Sequence, residues 1–185
     1  MEDSKIIALF YARSEQAIAE LSKKYGTVCT KVADNILNSK QDAEECVNDA
    51  YLGAWDTIPP QNPNPLLTYV CRIVRNLAVK KYHANTAQKR NSQYDVALEE
   101  LENCFSTAES VEAALDVQEL TAYLNVFLES LDVEKRVLFV RRYWYGDSVE
   151  DLAKYFSTSR HTVSVRLFRT REKLKTYLAE RGVAL

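Results

Sequence analysis

The densest chemistry in the chain lies in residues 148–178, SVEDLAKYFSTSRHTVSVRLFRTREKLKTYL. Guanidinium and ammonium groups neutralise phosphates and set affinity for a polyanion, while a few outward side chains can reach base edges and set sequence. Ser148 is placed to cap a short helix whose inward face is Val149, Leu152, Ala153 and Phe156. A turn is expected at Ser157-Thr158, and Ser159 is placed to cap a second helix. In that helix Val163 and Leu167 point inward, leaving Arg160, His161, Ser164, Val165, Phe168, Arg169 and Arg171 outward. Two helices joined by a tight turn, the second with a basic exposed half, form a helix-turn-helix suited to the major groove of DNA. Arg169 is the first candidate for a base contact, and Phe168 for a thymine methyl.

A second cationic stretch contains no acid: between Thr57 and Tyr94 the charged residues are Arg72, Arg75, Lys80, Lys81, Lys89 and Arg90. From Asn91 to Glu134 the sign inverts, with acids from Asp95 to Glu134 and no Lys or Arg. The net charge of -2 therefore conceals two basic blocks separated by an acidic one. No Ser/His/Asp set or glycine-rich phosphate loop can be assembled, and the only histidines are His83 and His161. Cys29, Cys46, Cys71 and Cys104 are far apart with no CxxC pair, which favours reduced, mostly buried thiols over metal or redox chemistry. The sequence thus implies no catalytic residue, no metal and no cofactor. With no apolar run of about 18 residues and no secretion-signal pattern at the amino terminus, it also implies no membrane insertion and a cytoplasmic protein.

The elements that must hold these groups read as all-α. All four prolines fall between Pro59 and Pro65, so little else interrupts a helix. Ala43, Cys46, Val47, Ala50, Tyr51, Ala54, Trp55 and Ile58 share one helical stripe, with Asp42 as the expected cap and Pro59-Pro60 as the stop. An earlier helix over Ser14 to Leu37 carries Ile18, Leu21, Tyr25, Val28, Val32, Ile36 and Leu37 towards the core. A third packs through Leu66, Val70, Ile73, Val74, Leu77 and the stem of Lys81, turning Arg72, Arg75, Asn76, Val79 and Lys80 outward. Two small helical domains are expected, at 1–87 and 115–185, joined by an acidic linker over 88–114 where periodicity fades. In the second, Leu120, Leu124, Phe127, Leu128 and Leu131 form a stripe, and Arg136 to Tyr145 continues a helix that Gly146 ends.

DAEECVNDAYLGAWDTI and TYVCRIVRNLAVKKY resemble the second conserved region of bacterial RNA polymerase sigma factors of the extracytoplasmic-function (ECF) group. STSRHTVSVRLFRTREKL resembles their fourth region. The resemblance spans nearly the whole chain, in the family's order and spacing. It implies a non-enzymatic protein whose partners are core RNA polymerase, promoter DNA and, as is frequent in the family, an anti-sigma factor. It implies docking on the polymerase clamp by Asp42, Glu45, Asn48 and Asp49, with Leu52 presented beside them. It implies minus-ten recognition and strand opening by Tyr69, Arg72, Arg75, Asn76, Lys80 and Lys81. Minus-thirty-five recognition falls to Arg160, His161, Thr162, Ser164, Val165, Phe168, Arg169 and Arg171. Relatives often carry Trp at the position of Tyr69, and Gly-Thr where this chain has His161-Thr162. The acidic linker resembles connectors that run through the polymerase's RNA exit channel. An autonomous helix-turn-helix regulator, with a sensing or dimerising first domain, is the alternative reading.

Overall fold

The computed structural model describes residues 1–85, 93–105 and 117–182. The described residues form nine helices and no strand: α1 Asp3–Tyr11, α2 Gln16–Leu37, α3 Lys40–Thr57, α4 Leu66–Asn85, α5 Gln93–Phe105, α6 Val117–Ser130, α7 Val133–Tyr143, α8 Val149–Tyr155 and α9 Arg160–Ala179. They divide into two compact units, Met1–Gln93 and Tyr94–Leu185. Among the described residues no helix is long and apolar enough to cross a membrane.

In the first unit α2, α3 and α4 pack on one another, and α1, whose Ile6 and Phe10 are buried, lies on α2, with Phe10 edge-on to Trp55 of α3. The expected stripe of α3 is largely the buried one, through Ala43, Cys46, Val47, Ala50, Tyr51 and Ala54, with Trp55 half-buried. Of the expected α4 stripe Leu66, Val70 and Val74 are buried and Ile73 and Leu77 half-buried, while Cys71 and Ala78, outside that stripe, are buried as well. Asn38 ends α2 in the left-handed region at φ 49°, a conformation that Asn tolerates better than most residues. This turn sets where α3 begins. Ser39, in extended backbone, accepts a hydrogen bond from the Asp42 N–H at 3.4 Å, so the cap is Ser39 and not Asp42. Asp42 sits three residues into the first turn, where its carboxylate faces the positive end of the helix dipole. Val28 departs from the expected α2 stripe: it is 42% exposed, and its neighbour Cys29 is buried instead.

The second unit is centred on Phe127, Leu131, Leu138, Phe139, Leu152, Val163, Leu167, Leu174 and Leu178. Asp132 caps α7, accepting from the Lys135 N–H at 2.9 Å, so Arg136 to Tyr143 belongs to a separate helix begun at Val133 and does not continue α6. Gly146, at φ 70°, supplies the left-handed step that leads out of α7.

The stretch expected to be an aperiodic linker contains a helix. Tyr94, Ala97, Leu98 and Leu101 fall at helical spacing within α5; Tyr94 and Ala97 are buried, and Leu101 packs against the core of the second unit. Of the acids there, Glu100 is committed to partners inside that unit. The remainder of the expected 88–114 linker lies outside the described residues, apart from these thirteen positions.

Candidate nucleic-acid and partner surfaces

The helix-turn-helix is built by two serine caps. Ser148 accepts from the Asp151 N–H at 3.0 Å to start α8, and Ser159 accepts from the Thr162 N–H at 3.1 Å to start α9. Between them Ser157 adopts φ 50°, which reverses the chain within a few residues. Leu152 and Ala153 of α8 and Val163 and Leu167 of α9 are buried, which fixes the roll of α9 about its axis. Arg160, His161, Ser164, Phe168 and Arg169 are consequently exposed. Phe168 is 55% exposed, an aromatic ring with no place in the core.

Three expected contacts on α9 are less accessible. The Thr162 hydroxyl lies 2.8 Å from the Ser159 hydroxyl, so it belongs partly to the cap. Val165 is half-buried. The Arg171 side chain is 17% exposed and donates to Glu100 Oε2 at 3.1 Å and to the Tyr143 hydroxyl at 2.6 Å. Arg160 lies 3.8 Å from Glu150 at an exposed site, where such a pair is weak.

Glu100 is the hub of that inner network. Its carboxylate accepts from Arg142 Nη2 at 2.8 Å, from Arg142 Nε at 3.3 Å and from the Tyr143 hydroxyl at 2.9 Å. Arg142 is 1% exposed and also donates to the Asp147 carbonyl at 2.9 Å. A buried guanidinium is tolerable only when paired and hydrogen-bonded. Burial, and then the charge of Glu100, push the Tyr143 phenol well above its ordinary range, so it stays a donor. Neither Arg142 nor Glu100 is marked for such a role by sequence alone. The available signal was the spacing of Tyr94, Ala97 and Leu101, which makes α5 a helix and carries Glu100 with it.

In the first unit two faces stand out. On α3, Glu45, Asn48, Asp49 and Leu52 are exposed and Asp42 is half-buried, at steps of three and four that make one stripe. Leu52 is 58% exposed within it. On α4, Arg72, Asn76 and Lys80 recur every fourth residue and are exposed, with Arg75 half-buried beside them. The Tyr69 hydroxyl donates to Thr57 Oγ1 at 2.8 Å, and the Arg72 guanidinium lies 5.3 Å from the Tyr69 ring centroid. The ring is thus fixed at the base of a cationic row, a geometry suited to stacking an unpaired base. Thr57 carried no sequence signal for this role.

Lys81 does not join that row. Its ammonium lies 2.7 Å from Glu45 Oε2 and 3.1 Å from Asp42 Oδ1, across from α4 to α3. The hydrogen bond to Glu45 is the main cause of its raised pKa. The buried, free thiols of Cys29, Cys46 and Cys71 belong to the core, and burial pushes the Cys46 thiol up to about 11, away from reactive thiolate chemistry. Among the described residues no group of three or more His, Cys, Asp or Glu side chains is placed to hold a metal ion.

Comparison with known proteins matches residues 21–88 to Sigma-70 region 2 and residues 122–174 to Sigma-70 region 4. The first match contains most of α2 and all of α3 and α4, and the second runs from α6 into α9. No curated protein matches the chain by sequence. Among solved structures the chain is similar to CnrH in complex with the cytosolic domain of CnrY, with 21% identity over 96% of this chain and 97% of that one and a TM-score of 0.45.

Proposed function

This chain belongs to the sigma-70 family, with the region 2 and region 4 content of its ECF group, and from that premise we propose how its surfaces divide the work of transcription initiation. The α3 stripe of Asp42, Glu45, Asn48, Asp49 and Leu52 docks on core RNA polymerase. Acids rimming an exposed leucine suit a basic partner surface with an apolar centre. The α4 row of Arg72, Asn76 and Lys80, with Arg75 and the Tyr69 ring, holds the minus-ten element. Cations follow the backbone of the opened strand there, and the aromatic face receives an unstacked base. The exposed half of α9 enters the major groove at the minus-thirty-five element, where Arg160 and Arg169 meet phosphate or guanine and Phe168 meets a thymine methyl. An anti-sigma partner, expected from family membership alone, would cover these same faces.

The observation that carries this reading is the separation of cationic faces. Among the described residues a basic helix face lies in each compact unit, and a face offering only a few phosphate contacts is expected to bind DNA weakly by itself. Held on one platform, two weak modules gain effective concentration and act together. The test is promoter-specific transcription in a reconstituted reaction with core polymerase, using promoters that carry both elements or only one. Loss of either element should reduce initiation steeply, whereas tight, polymerase-independent binding to a palindromic operator would favour the autonomous regulator instead.

A further inference from the structure

Lys81 stands between the two surfaces of the first unit. Lys80, on the exposed α4 row, points outward, and one residue later the chain has turned about 100° around the helix axis. That turn carries the Lys81 ammonium to α3, against Asp42 and Glu45, the first two acids of the stripe assigned above to polymerase. The clasp is only partly sheltered: the side chains are 25% exposed for Lys81, 28% for Asp42 and 64% for Glu45. Pairs of this kind contribute little to stability and exchange readily for another partner. A basic protein surface competing for the two carboxylates would leave the ammonium on the same helix, one residue from the cationic row, and without its counter-charge. The nearest polyanion would then be the promoter strand held by that row.

We propose that Lys81 is a conditional DNA contact. In the separate chain its charge is cancelled by Asp42 and Glu45, and docking of those acids on polymerase hands the ammonium over to the minus-ten strand. This rests on the assignment of the α3 stripe to polymerase and of the α4 row to DNA. It makes Lys81 a coupling residue, through which association with polymerase strengthens the grip on promoter DNA.

The experiment compares the full chain with its K81Q, D42N/E45Q and D42N/E45Q/K81Q variants, all confirmed folded by circular dichroism. Binding to a fluorescent single-stranded minus-ten oligonucleotide is followed against salt, first with the chains alone and then, for the full chain and K81Q, as holoenzyme on promoter DNA. Alone, wild type and K81Q should have the same affinity and salt slope. D42N/E45Q should steepen the slope by about 0.7, the value of one phosphate contact on a single strand, and adding K81Q should remove that increment. In holoenzyme K81Q should weaken promoter binding, with the deficit shrinking by about threefold between about 50 and 200 mM salt as one contact is screened. Equal sensitivity to K81Q in the chain alone and in holoenzyme overturns the handover. So does a gain in D42N/E45Q that survives in the triple variant, which would mark a long-range field effect. Failure of the wild-type chain to retain polymerase would instead remove the functional reading beneath it, and that outcome is seen directly in the assembly step.

Discussion

Removing the Glu100 carboxylate should loosen the second unit more than its partly exposed position suggests. In Glu100→Ala the guanidinium of Arg142, 1% exposed, keeps the Asp147 carbonyl but loses both of its contacts to the carboxylate. Arg171 and the Tyr143 hydroxyl lose an acceptor in the same step. Hydrogen bonds to a charged group contribute about 1.5–3 kcal/mol each, yet these share one carboxylate and cannot be summed. Breaking a buried pair by deleting one partner costs about 3–5 kcal/mol, and the 24% exposure of the Glu100 side chain lets water recover part of that. The expected loss is therefore about 2–3 kcal/mol. In a unit of under 100 residues this lowers the melting temperature by roughly 10–20 °C. Thermal and urea unfolding of the full chain, followed by circular dichroism and tyrosine fluorescence, would resolve it as an early transition of the second unit. Glu100→Gln, which keeps an acceptor but not the charge, should fall between wild type and Glu100→Ala. A Glu100→Ala variant within about 0.5 kcal/mol of wild type, the range of ordinary surface substitutions, would refute the idea that this carboxylate fastens α5 to the unit.

Other substitutions separate the surfaces. Arg169→Ala should cost about 1–3 kcal/mol at the minus-thirty-five element, read as lost initiation from the chain's own promoter, while polymerase retention stays unchanged; equal loss of both would remove Arg169 from base recognition. Leu52→Asp should have the opposite signature, weakening assembly with polymerase in a pull-down without altering the stability of the separate chain, because the side chain is 58% exposed. The hydrogen bonds from the Lys135 side chain and backbone hold the Asp132 carboxyl below the usual aspartate range. A carboxyl depressed in the folded state contributes stability above its unfolded value, and that contribution disappears as pH falls through the folded value. Asp132→Asn keeps a capping side chain without the charge, so it should flatten the decline in stability below about pH 4. An unchanged acid limb in the variant would assign the decline to other carboxylates.

The parts legible in the sequence were those where local chemistry and burial agree. Ser148 and Ser159 could be read as caps because each precedes an apolar pattern of helical period, and the same pattern fixed which side of α9 faces outward. The stripe of α3 was legible for the same reason, though its start was not. The left-handed Asn38 and the extended Ser39 set that boundary, and Asp42, with equal capping propensity, masked it. The connector failed differently. Its run of acids dominated the composition, and Tyr94, Ala97 and Leu101 are too few to outweigh it without knowledge of the surface they meet. Pairing was the least legible feature. Arg171 and Lys81 look identical in sequence to the exposed cations beside them, and only the placement of Glu100, Asp42 and Glu45 in space turns them inward.

The central claim is that two small cationic surfaces act on a promoter only while the chain is carried by polymerase. Its most direct test is run-off transcription with core polymerase, with and without the chain, on a template bearing its promoter. The expected result is a discrete transcript that requires the chain and is lost when either promoter element is scrambled. A transcript pattern unchanged by adding the chain, although the protein is folded and the core enzyme active, would contradict it.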